Sequence, residues 1–134
     1  MKLPPVLDQP LDSEQRLKYL GPKRLQFLKT LIGNRDVFHL HITATTVDVG
    51  PWFGKRRVTC CLLDREMVLF AEGPRAYVER IPFDQIQESQ YNHVTGEVVL
   101  APRETDSLTS LKVPPLIALE ILANIRNGDD HGSA

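Results

Sequence analysis

The residues best suited to recognition chemistry sit together at Trp52-Phe53, followed by Lys55-Arg56-Arg57, in a stretch bracketed by Gly50-Pro51 and Gly54. Aromatic side chains and arginine are the types enriched in binding hot spots. At a loop tip, the two aromatics could enter a membrane interface while the three cations hold anionic head groups. The same residues could stack on, and pair with, a protein or an RNA segment. The plainer reading folds the aromatics back onto the body of the protein and leaves the cations solvated.

Other chemistry-bearing residues are weaker candidates. His39 and His41 share one face of a strand, so both imidazoles could reach one metal or respond together to pH. Two ligands are too few for a specific site, and nothing in the spacing brings His93 to them, so a polar outer face is expected there. Asp64, Arg65, Glu66, Glu72, Glu79 and Asp84 form a charged set. Paired carboxylates do acid–base work only where they line a cleft. The chain offers no nucleophile constellation, Gly-rich phosphate loop or metal triad, so no catalytic residue, metal or cofactor is assigned. Cys60 and Cys61 are adjacent and point to opposite faces of a strand. One buried thiol and one bystander are expected, with no disulfide. Arg16, Lys18, Lys23, Arg24 and Lys29 make the N-terminal helical region basic, which suits a membrane, a partner, or a helix packed on the body with its charges in water.

Positioning these residues falls to short strands. Residues 1–11 read as an extended, proline-punctuated arm. Asp12 or Ser13 can cap a short helix over Glu14 to Leu20, and Pro22 starts a second in which Leu25, Leu28 and Ile32 share a face until Gly33-Asn34. From Asp36 the period becomes two. Phe38, Leu40, Ile42 and Ala44 are expected inward, and His39, His41, Thr43 and Thr45 outward. Further strands are expected at Arg57–Leu63, Met67–Ala71, Tyr77–Ile81, Gln87–Gln90, Glu97–Ala101 and Leu108–Val113. A closing helix opens at Pro114-Pro115. Leu116, Leu119, Leu122 and Ala123 form one apolar row and Ile117, Ile121 and Ile125 a second, and Asn127-Gly128 ends it.

The organisation expected is an N-terminal arm and helical hairpin over 1–35, one β domain with its helix over 36–128, and a disordered tail over 129–134. With 134 residues, a single domain with a core of its own is the default. A formal net charge of −1 argues against a dedicated nucleic-acid binder, which usually carries a basic excess. No apolar run approaches the ~20 residues that span a bilayer, and the first ten residues hold no continuous apolar stretch of a secretory signal. A cytoplasmic protein is therefore expected, peripheral at the membrane if the loop binds lipid.

The order of these elements resembles the bacterial pleckstrin-homology-like (PH-like, GRAM-type) domains. Three marks carry the resemblance: the hairpin Leu62-Leu63-Asp64-Arg65-Glu66-Met67-Val68-Leu69-Phe70, the segment Ile81-Pro82-Phe83-Asp84-Gln85-Ile86, and the closing helix from Pro114 to Ile125. The resemblance covers roughly residues 36–126. It implies a mainly β fold, an antiparallel bent barrel of about seven strands closed by the C-terminal amphipathic helix, here preceded by N-terminal helices. It also implies a non-catalytic interaction module that contacts a protein partner or itself. The alternative is peripheral binding to anionic lipid through Trp52, Phe53, Lys55, Arg56 and Arg57. The chain lacks the Lys-x(n)-Arg-x-Arg pattern of the lipid-binding members on its first hairpin.

Overall fold

Two helices and seven strands organise the residues described by the computed structural model, which are 20–103 and 108–131. The expected arm and the first helix up to residue 19, with Arg16 and Lys18, lie outside them. So do residues 132–134 of the expected tail.

The β-rich reading holds. Strands β1 (His39–Asp48), β2 (Lys55–Leu62), β3 (Glu66–Ala71) and β4 (Tyr77–Pro82) form one antiparallel sheet in sequential order. Strands β5 (Gln90–Asn92), β6 (Glu97–Val99) and β7 (Ser110–Lys112) form a second. Among the described residues the strands pair as two sheets and not as one closed ring. The β5 pairing falls C-terminal to the expected Gln87–Gln90, because Phe83–Gln85 forms a 3-10 turn that takes up the intervening chain.

Helix α1 (Pro22–Ile32) covers one face of the first sheet. Leu20, Leu28 and Ile32 are buried there against Cys61, Leu63, Val68 and Phe70, with Leu40 and Ile42 of β1 packed alongside. Each fully buried aliphatic side chain contributes roughly 1.5–3 kcal/mol. Phe27 of α1 stacks on Phe70 at 5.5 Å between ring centroids. Ion pairs fix the far end of α1. Arg35 reaches Glu66 Oε1 (2.6 Å) and Asp64 Oδ1 (3.0 Å), and Arg80 joins Glu66 (2.9 Å) and donates to the carbonyl of Leu31.

The opposite face of the sheet carries the second core. Val58, Cys60, Leu62, Met67, Leu69 and Ile81 meet Val98, Leu100 and Leu111 of the second sheet, under helix α2 (Pro115–His131). Strands β2 and β3 are thus buried on two faces. This corrects the expectation for the cysteines: Cys60 lies in one core and Cys61 in the other, both fully buried. Burial pushes the Cys60 thiol far above its usual pKa.

It also corrects the outward assignment of the histidine face. His39 and His41 stand opposite Leu62 and Cys60, so they share the face that looks towards α2. His39 and Thr43 are buried, while Phe38 and Ala44, expected inward, are exposed. Alternation on a strand sets two faces and cannot say which is covered when both are.

Helix α2 buries Ala118, Ile121, Leu122 and Ile125. The expected row led by Leu116 and Leu119 is instead 77% and 63% exposed at those two positions. The buried set fits i, i+3, i+4, i+7 spacing from Ala118. Gln87 donates to the carbonyl of Ile125 at 2.6 Å and holds the helix against the 3-10 turn. The helix runs on past Asn127-Gly128 to His131. A glycine inside a helix costs only about 1 kcal/mol relative to alanine, so it permits a stop without imposing one.

Candidate recognition site

The turn between β1 and β2 presents the aromatics. Gly50 and Gly54 have φ of 141° and 64°, values that L side chains rarely adopt, and they bracket the tight reversal. Asp48 accepts the Gly50 N–H at 2.9 Å, and the N–H groups of Phe53 and Gly54 both donate to the carbonyl of Gly50. The neighbouring β3–β4 turn buttresses this base: Arg75 N–H donates to the carbonyl of Val49 at 2.9 Å, and Pro74 packs against Gly50.

On that fixed base Trp52 is 93% exposed and Phe53 51% exposed. The aromatics do not fold back onto the body. The three cations diverge. Lys55 and Arg57 are exposed on one face of β2, whereas Arg56 points to the other and meets Glu72 Oε1 at 3.6 Å. Arg24 of α1 reaches the same oxygen at 3.5 Å. Arg75 joins Lys55 and Arg57 beside the turn. None of these last three makes a salt bridge among the described residues.

The other candidates are dispersed. The rings of His39 and His41 stack 6.3 Å apart, and His39 Nδ1 meets Glu120 Oε2 of α2 at 2.8 Å. Burial holds His41 below its ordinary pKa. His93 is exposed in the β5–β6 turn, edge-on to Tyr91. No group of metal-ligating side chains that could hold an ion occurs among the described residues. The charged set is spread over ion pairs. Asp64 and Glu66 bind Arg35, which holds the Asp64 carboxyl below the usual range; Glu79 binds Arg103 and Tyr77; Glu72 binds two arginines. Burial, then the Glu79 hydrogen bond, pushes the Tyr77 phenol well above its ordinary pKa. Asp84 is exposed. Of the basic helix, Lys23 and Lys29 face water, while Arg24 is half-buried.

Sequence reasoning missed a cleft. The pairing of β1 with β2 slips between Ile42 and Thr46, and the bent strand brings Thr45 Oγ1 to the N–H of Lys112 on β7 at 2.7 Å. At this corner a cleft of about 350 Å³ is lined by His41, Ile42, Ala44, Arg57, Lys112, Val113 and Pro114. No signal in the sequence links Lys112 to His41. Only the bulge does.

Compared with known proteins, the chain matches no family model, no curated protein and no solved structure. No helix among the described residues is long and apolar enough to cross a membrane.

Proposed function

We propose that the chain is a non-catalytic interaction module of PH-like build that contacts a protein surface, either another protein or a second copy, through the tip of its first hairpin. The observation that carries this reading is Trp52, 93% exposed on a turn whose base is fixed by hydrogen bonds. A tryptophan held out on a rigid base loses little entropy on binding and gains a large apolar contact. The strand order supports the PH-like build: four sequential antiparallel strands, then three, then a long helix.

Trp52→Ala separates binding from folding. Its stability change is expected within ~0.5 kcal/mol, as for an exposed position. Loss of a central hot spot of about 2 kcal/mol weakens association roughly 30-fold. Sedimentation velocity reads self-association, and calorimetry reads binding to a purified partner that the wild type retains. A wild-type chain that stays monomeric and retains no partner overturns the reading, as does an unchanged Kd for Trp52→Ala.

One observation favours docking on an anionic membrane as a second reading. Lys55 and Arg57 follow the aromatic tip on β2 and Arg75 lies in the neighbouring turn, all exposed and without carboxylate partners among the described residues. Vesicle co-sedimentation then rises with anionic lipid, falls with salt, and is lost in Trp52→Ala combined with Lys55→Ala.

A further inference from the structure

The corner cleft has a chemistry that the hairpin tip does not use. Three basic side chains line it from three strands: His41 of β1, Arg57 of β2 and Lys112 of β7. No carboxylate is among its lining residues. Five of the other arginines are neutralised. Arg24, Arg35, Arg56, Arg80 and Arg103 each meet a glutamate. Arg57 and Lys112 make no salt bridge among the described residues, although the chain as a whole carries a net charge of −1. An anion bound in the cleft would therefore meet two cationic residues that no ion pair among the described residues neutralises.

We propose that this cleft binds a phosphomonoester, with Arg57 and Lys112 clamping the phosphate oxygens and His41 completing the ring of donors. A guanidinium offers a planar fork that matches two phosphate oxygens, and an ammonium adds a movable point charge. The volume, about 350 Å³, is at the small end of ligand pockets and suits a phosphate with the sugar or polyol it esterifies. Ile42, Ala44, Val113 and Pro114 supply an apolar wall for that carbon skeleton.

His41 makes the site report on itself. Burial favours its neutral form, and a bound dianion favours the charged form. The titratable and charged groups around it are His39 on its own strand, Cys60 and Arg57 on β2, Lys112 on β7 and, beyond His39, Glu120 on α2. None of these lies between His41 and the cleft as a competing carboxylate, since no carboxylate lines the cleft.

The test is a titration of the full chain with inorganic phosphate at constant ionic strength, followed through the histidine ring signals by NMR. The expected result is a saturable shift of the His41 ring signals and a rise of its pKa in the phosphate complex. Arg57→Gln and Lys112→Gln each weaken binding about 10-fold or more, the loss of one charge-assisted contact. Lys55→Gln, two positions along β2 and outside the cleft, leaves the affinity unchanged, and so does Trp52→Ala, which keeps this result distinct from that of the hairpin tip. Vesicles carrying a phosphoinositide monoester, compared with phosphatidylserine vesicles of equal surface charge, identify the source. Preference for the former assigns a lipid head group, and equal binding assigns a free phosphomonoester. A linear, non-saturating response of His41, or a loss in Lys55→Gln as large as in Arg57→Gln, overturns the proposal.

Discussion

Replacing Phe70 with alanine is expected to lower the unfolding free energy by about 3–5 kcal/mol, the range for removing a buried aromatic ring. Phe70 is fully buried on the face of β3 that α1 covers, and its ring stacks on Phe27 at 5.5 Å with 30° between the planes. The loss combines the transfer of the ring to water with the cavity left between sheet and helix. Domains are typically stable by only 5–15 kcal/mol, so this one change removes a third or more of the total in most cases. Urea unfolding checks it: the midpoint falls while the slope is unchanged. Phe27→Ala added on top should cost less than it does alone, with a coupling of about 0.5–1.5 kcal/mol from the ring pair. If Phe70→Ala cost under 1 kcal/mol, the helix would not be covering that face.

Gly73→Ala is the second large effect, expected at about 1–3 kcal/mol from overpacking. A Cβ at Gly73 would lie 2.6 Å from Cγ2 and 2.7 Å from Cβ of Val49, which is itself fully buried. Rotating the Val49 side chain relieves the first contact and not the second, because the backbone fixes a Cβ. The two turns must therefore move apart, and the Arg75-to-Val49 hydrogen bond at 2.9 Å stretches or breaks with them. Val49→Ala should fail to rescue the variant for the same reason. Hydrogen exchange at the Arg75 and Gly54 amides is expected to accelerate. A variant with the wild-type urea midpoint would show that the turns are not in contact as described.

Much of the layout was legible because it rests on local chemistry. The period-two runs placed β1 to β4, and Gly33 and the paired prolines marked helix ends. Burial was less legible. Leu40 and Ile42 alternate with His39 and His41 as in a one-sided strand, yet α1 covers the first pair, while His39 meets Glu120 of α2 and His41 lines the corner cleft. In α2, Leu116 and Leu119 carry the same apolar signal as Ile121 and Ile125, and only packing separates them. The Gly50–Gly54 loop was readable from its glycines, but not the exposure of Trp52, which depends on a neighbouring turn. The cleft was illegible because its walls come from distant parts of the chain and meet only through the irregularity in β1.

The two adjacent cysteines, one in each core, make the chain its own pair of reporters. A thiol reagent reaches Cys61 whenever α1 lifts from the sheet, an excursion that leaves the two sheets together. It reaches Cys60 only when the layer beneath α2 parts as well. Partial and complete opening differ in free energy in most folds, and here neighbouring side chains time them separately. The lag between labelling at Cys61 and at Cys60 would measure how tightly the outer helix is tied to the rest, with no change to the sequence.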